Sequence, residues 1–227
     1  MRKRLSSETI YVGLYVLPRG SLRSELLAAL RQARKARRPR ARGIDRRGQI
    51  PNMTRLAERP AEVATCTVPG QWEGDLIKGA RNSSAVGSLV ERTTRLVILA
   101  RLDGTDALSA RVGFTRKLNH VPTSLRKTLT SDRGKEMAEP ERLAQRLAIR
   151  VFFADPHSPW QSGTNESTNG LLRQYLPKGT DLSRYTQREL NAIAHQLNTR
   201  PRKCLDWAMS LEVFTHLRHQ SPIALGT

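Results

Sequence analysis

The 227-residue sequence predicts an α/β domain, a mixed β-sheet flanked by helices, behind a short and strongly basic front. Three apolar, strand-like runs follow one another between Trp72 and Leu102 with only tight connections, the pattern of hairpin-joined neighbours. Helix-like and strand-like segments then alternate, which brings strands together in parallel. Charge says what such a domain meets. The chain holds 39 Lys and Arg against 20 Asp and Glu, a net charge of +19, and its pI is near 11.2. That balance points to a polyanion, most simply nucleic acid.

Taken in order, Ser7 is placed to cap a short helix with Ile10, Tyr11, Leu14 and Tyr15 on one face, ended by Pro18-Arg19-Gly20. Leu22, Leu26, Leu27 and Leu30 give a second amphipathic helix that runs into arginines. Residues 31–47 carry nine basic side chains against one acid, Asp45. A solvated linker and an arm that neutralises phosphates both fit this run. Arg37, Arg38, Arg40 and Arg42 are its expected DNA contacts. Pro39, Pro51, Pro60 and Pro69 mark residues 39–70 as irregular. The expected division is a helical segment over 1–30, a basic linker over 31–70 and a core over 71–227.

Within the core, Trp72–Ile77, Ala85–Glu91 and Leu96–Leu102 read as strands, the last two joined by a turn at Arg92–Arg95. Asp106–Leu118 is helical in pattern. Thr128–Ser131 is a short strand ending at Asp132. Pro140–Ala148 is a helix with proline near its start, and Val151–Ala154 an apolar strand. Asp155–Gly163 is a loop of turn formers. Asn165–Leu176 reads as a helix stopped by Pro177, followed by helices at Thr186–Leu197 and Ser210–Leu217.

Several classes are excluded. Two cysteines, Cys66 and Cys204, supply neither a disulfide framework nor a four-ligand zinc site, which suits a reducing compartment. No apolar run approaches the roughly 20 residues of a membrane helix. Arg2-Lys3-Arg4 followed by Ile10–Leu17 imitates a secretory signal only loosely, because Ser6, Ser7 and Glu8 intervene and no small-residue cleavage pattern follows.

Three acids stand apart. Asp75 lies inside the first strand, Asp132 ends the fourth, and Glu166 opens a helix. A carboxylate in mid-strand is costly unless it binds a cation or is well hydrogen-bonded. Oxygen donors without His or Cys suit Mg²⁺, with Mn²⁺ able to substitute. Paired ions of this kind drive phosphoryl transfer. The same acids could instead cap helices or pair with arginines. Glu73 shares a strand face with Asp75 and could neighbour a metal. Asp155 could add a ligand or cap its loop before Pro156. His157 could shuttle a proton, contact phosphate or be held within its loop, and Trp160 could stack on a base or pack the loop. Glu166, Asn169, Gly170 and Arg173 fall on one helix face, so Asn169 and Arg173 are candidate DNA contacts. Lys178 and the run Arg200-Pro201-Arg202-Lys203 are further basic candidates.

Trp72-Glu73-Gly74-Asp75-Leu76-Ile77, Thr130-Ser131-Asp132-Arg133-Gly134-Lys135-Glu136 and the stretch Ala154 to Glu166 closely resemble the DDE transposases of the insertion-sequence-thirty family, with 33 residues between the second and third acids. Asn169 to Gly179 and Leu197 to Lys203 continue the match. The resemblance implies a ribonuclease-H-like core of integrase type, with Asp75, Asp132 and Glu166 as the catalytic, metal-binding triad and Mg²⁺ as cofactor. It implies cutting at element ends and transfer of a 3′-OH into target DNA. The expected partners are terminal-repeat and target DNA, with the protein a homo-oligomer on DNA, not membrane-bound, cytoplasmic and nucleoid-associated. The family's helix-turn-helix is matched only by Ser7–Tyr15, its last helix. Six residues precede it, so the front is expected to be a truncated reader. Two functions follow: an active strand-transfer enzyme, or a catalytically idle remnant that binds DNA without specificity or interferes with an intact transposase. An RNA-binding protein fits the charge but not the three acids.

Overall fold

Alternating apolar residues from Gln71 onward build five strands: β1 (Gln71–Lys78), β2 (Ala85–Glu91), β3 (Val97–Arg101), β4 (Thr128–Ser131) and β5 (Arg150–Phe153). A computed structural model describes residues 17–18, 20–29, 53–54, 56–58, 68–132, 134, 139–155 and 163–220. The chain falls into two units, Met1–Gly43 and Ile44–Thr227, so the segment expected to be linker is divided between them. In the first, helix α1 spans Ser21–Ala28, shorter than the run to Leu30 suggested. The helix expected at Ser7–Tyr15 and the arginines at 37, 38, 40 and 42 lie outside the described residues.

In the second unit the strand order is β3-β2-β1-β4-β5. β1 pairs antiparallel with β2 and parallel with β4, and β4 parallel with β5. The mixed sheet expected from sequence is therefore present. The helices are α2 (Ala107–Leu118), α3 (Pro140–Leu147), α4 (Gly163–Leu172), α5 (Gln187–Asn198) and α6 (Ser210–Gln220).

Strand periodicity sorts side chains to two faces. On one, Trp72, Leu76, Leu89, Leu129 and Phe153 pack with Phe114 and Leu118 of α2, Leu143 and Leu147 of α3, and Phe214 of α6. Trp72 meets Phe214 edge-on, ring centroids 6.1 Å apart. On the other, Ile77, Val86, Val97 and Leu99 pack with Leu172 of α4 and with Leu190, Ala194 and Leu197 of α5. Phe114 occupies the place that a side chain at Gly87 would need, where a Cβ would stand 2.6 Å from its ring; a Cβ at Gly74 would crowd Leu129 at 3.1 Å.

Two features escape hydrophobic periodicity. Fully buried Glu91 accepts from the backbone N–H groups of Gly70 (3.0 Å), Gln71 (3.3 Å) and Thr94 (2.6 Å) and from Thr94 Oγ1 (2.8 Å), tying the start of β1 to the β2–β3 turn. β3 lies at the sheet edge, and the two ends of α5 cover it. Asn198 accepts from Val97 N and donates to Val97 O, both at 2.8 Å. Gln187 accepts from Arg101 N and donates to Leu99 O, both at 2.9 Å. Asp106 caps α2 through Ser109 N at 2.9 Å, and Thr186 with Glu189 forms a capping box on α5.

Candidate active site

The parallel pairing of β1 with β4 brings two acids together. Its last partners are Gly74 and Ser131, where Ser131 Oγ donates to Gly74 O at 3.0 Å. Continuing that register by one residue sets Asp75 against Asp132, one strand spacing of about 4.8 Å away. Asp132 follows the end of β4, where its Oδ1 accepts from Gly134 N at 3.1 Å. Both acids are half-buried. They lie where the chain leaves β1 on one side for β2 and on the other for β4, the kind of switch point at which open α/β sheets bind ligands.

α4 runs along β1 in the same direction, joined by polar rungs. Asn165 N donates to Glu73 Oε2 at 2.8 Å, Asn169 Nδ2 to Asp75 Oδ2 at 2.7 Å, and Arg173 Nη1 and Nη2 to Lys78 O at 3.2 and 3.1 Å. The first two rungs match in length: two strand residues advance about 6.6 Å and four helix residues about 6 Å. Ser88 Oγ on β2 lies 3.2 Å from both Asp75 O and Asn165 Oδ1. Glu73 is 1% exposed, and its Oε1 lies 2.9 Å from Arg92 Nε. Arg95 Nη1 donates to Thr164 Oγ1 in the first turn of α4.

These contacts differ in kind from the sequence expectations. Asn169 and Arg173 were expected to face DNA. Here the Asn169 amide engages Asp75, and the half-buried Arg173 guanidinium donates to the carbonyls of Lys78 and Leu176. Burial lowers the Arg173 pKa, and the nearby Asp75 charge opposes that shift. Glu73 and Asp75 share a face as expected, but Glu73 is engaged with Arg92 and the start of α4. Asp155 is half-buried just beyond β5, while Glu166 and Lys178 are exposed. Arg133, His157 and Trp160 lie outside the described residues. The supporting roles of Ser88, Arg92 and Asn165 were missed; their partners are distant in sequence, and no local pattern marks them.

Among the described residues, no three His, Cys, Asp or Glu side chains gather closely enough to hold a metal ion. The β1–β4 register sets Asp75 beside Asp132, and with Glu166 they do not form such a cluster. The donor chemistry of the pair still suits a hard divalent cation. Beside it, Asn169 Oδ1 is buried without a hydrogen-bond partner among the described residues, an oxygen free to accept from a metal-bound water or to face a cation.

A mixed five-stranded sheet in this order, with one acid inside β1 and another just past the end of its parallel neighbour β4, is the ribonuclease-H-like architecture of integrase catalytic cores. Solved structures agree on the fold. The catalytic core domain of BIV integrase aligns with TM-score 0.50 and 18% identity over 66% of this chain and 97% of its own. A chain of the simian T-cell lymphotropic virus intasome aligns with TM-score 0.51 and 20% identity over 70% of this chain and 57% of its own. No family model matches the sequence. Curated relatives do. The transposase for insertion sequence element IS1086 of Cupriavidus metallidurans is 58% identical over 94% of this chain and 63% of its own length. The transposase InsI for IS30A of Escherichia coli K12 is 43% identical over 92% and 55%. The transposase for IS4351 of Bacteroides fragilis is 35% identical over 98% and 68%. The chain belongs to the transposases of IS30-type insertion sequences. It spans between about half and two thirds of the length of these relatives.

Proposed function

We propose that this chain carries the catalytic core of a transposase that cuts DNA at the ends of an insertion element and joins a 3′-OH to target DNA. The observation that supports it best is the juxtaposition of Asp75 and Asp132, with α4 fixed along β1 beside them. Asp75 and Asp132 would hold Mg²⁺, or Mn²⁺ in its place, with Glu166 as the third ligand. The bound ion would activate the attacking oxygen and neutralise charge on the phosphate. The protein's own groups do the rest. Asn169 fixes the orientation of the Asp75 carboxylate through Oδ2. Glu73 and Arg92 hold the start of α4, the turn that carries Glu166. Arg173 anchors the far end of α4 to β1. Lys178 and the arginines at 37, 38, 40 and 42 neutralise DNA phosphates. Terminal-repeat and target DNA are the proposed partners, and a homo-oligomer assembled on DNA the working form.

Because no three carboxylates gather into a cation site among the described residues, a second reading stands beside the first, a chain that binds DNA but is catalytically idle. One experiment decides between them: Mg²⁺-dependent nicking of a supercoiled plasmid, with DNA binding measured in parallel. On the first reading Asp75→Asn, Asp132→Asn and Glu166→Gln each abolish nicking while binding stays within about twofold. Nicking retained in any one variant removes that residue from the site. No nicking by the unsubstituted chain leaves the idle reading standing.

A further inference from the structure

The loop after α5 presents a tryptophan at the surface. Pro201 and Met209 pair as an isolated β-bridge. Between them Arg202 N donates to Ala208 O (3.1 Å), Trp207 N to Arg202 O (2.9 Å) and Ala208 N to Leu205 O (2.9 Å). At the tip Asp206 has φ 50° and ψ 38°, and Trp207 has φ 71°. Two successive residues thus sit in the left-handed region, where tight turns favour Asn and Gly and a bulky side chain is strained. Trp207 is 62% exposed, whereas Trp72 is fully buried. Backbone conformation and hydration both oppose this arrangement, so the loop's hydrogen bonds must hold it. Strain kept in this way clusters at ligand clamps.

The loop that carries the ring is basic. Residues 200–207 carry Arg200, Arg202 and Lys203 against Asp206. Arg200 is steadied with its guanidinium 5.7 Å above the Tyr175 ring, and Lys203 is exposed. An exposed aromatic ring on a basic loop fits a nucleotide, the base stacked and the phosphate paired. Inside a duplex each base face is covered by its neighbours. A ring on a loop tip therefore reaches a base only at a strand end or where a base is splayed out.

We propose that Trp207 is a stacking platform for a terminal or unpaired base of DNA, flanked by phosphate contacts from Arg200 and Lys203. This rests on the reading that the chain acts on DNA. The turn is tied by its own backbone hydrogen bonds, which lowers the conformational freedom lost on docking a base.

The test compares two DNAs: a covalently closed duplex minicircle, which has no ends, and a linear duplex of equal length with unpaired terminal nucleotides. Trp207→Ala and Trp207→Gly should weaken binding to the linear duplex by roughly tenfold or more and leave minicircle binding within about twofold. Trp207→Phe should keep most of the affinity. Stacking releases no counterions, so Trp207→Ala should leave the salt dependence unchanged, while Lys203→Gln makes it shallower by roughly 0.7–0.9 in log–log slope. Glycine adopts φ > 0 freely, so Trp207→Gly should melt at or above the unsubstituted Tm. Weakened binding with a Tm so preserved is not misfolding. Equal affinity of Trp207→Gly and the unsubstituted chain for the linear duplex would overturn the proposal. So would equal weakening on both DNAs, or a change of oligomeric state in DNA-free Trp207→Ala, which would mark a self-association surface. If the unsubstituted chain bound neither DNA, the DNA reading itself would fall, and this inference with it.

Discussion

Glu73 shows how much a single residue does that its sequence position conceals. Two residues before Asp75, it reads as a candidate metal neighbour because the strand period puts both on one face. Its partners are Arg92 and the backbone of Asn165, the latter 92 positions away. Such a partnership leaves no local trace. Within the carboxylate set, the mid-strand acid Asp75 and the strand-end acid Asp132 were legible, because an unshielded acid there demands a partner. Glu91 was not, because an acid at a strand end beside Arg92 looks solvated until the turn closes over it. Removing the Glu73 carboxylate strands Arg92 with little solvent and leaves an N–H of α4 unpaired. Glu73→Leu should therefore cost about 3–5 kcal/mol of stability. Glu73→Gln keeps an acceptor for Asn165 N and should cost about 1–3 kcal/mol. Urea unfolding of the two variants checks this; equal midpoints for Glu73→Leu and the unsubstituted chain would show that the pair contributes nothing net.

Among the elements, the five strands and the helices of the core follow the sequence reading to within a few residues, because their apolar periods are clean and their caps local. α4 is the exception. It reads as Asn165–Leu176 but spans Gly163–Leu172. Gln174 N and Tyr175 N bond three residues back, to Leu171 O and Leu172 O, tightening the chain into a turn. There Arg173 donates to Leu176 O and Lys78 O, a tertiary pull that periodicity does not encode. The helix caps carry a pH consequence. Hydrogen bonds from Ser109 N and Oγ favour the charged form of Asp106 and lower its pKa from 3.8; Asp181 and Glu189 are lowered likewise by Ser183 and Thr186. A folded-state pKa below the unfolded one means stabilisation that is complete above about pH 5 and fades as pH falls through the folded value. Melting temperature should therefore drop on acidification from pH 6 to pH 3, and less steeply in Asp106→Asn, whose cap does not titrate. Parallel acid profiles for the two proteins would count against the cap.

For the molecule as a whole, charge is distributed unevenly. Residues 1–60 hold 16 basic and four acidic side chains, the remainder of the chain carrying less of the excess. Replacing Arg37, Arg38, Arg40 and Arg42 with Gln should weaken binding to every DNA sequence alike, and make log Kd against log salt shallower by roughly 0.9 for each duplex phosphate left without its arginine. An unchanged slope would make the basic run a tether only. The sheet, meanwhile, has two unequal borders. At β5, Phe153 N is taken by Thr54 O, the one backbone bond to this border from outside the sheet among the described residues. At β3, Asn198 takes both N–H and C=O of Val97, and Gln187 takes Leu99 O and Arg101 N. A foreign strand could pair along β3 only by evicting both ends of a packed helix. Two copies of this chain brought close together are thus denied strand exchange at that border, and the fold keeps its β3 edge to itself without a proline in the strand to guard it.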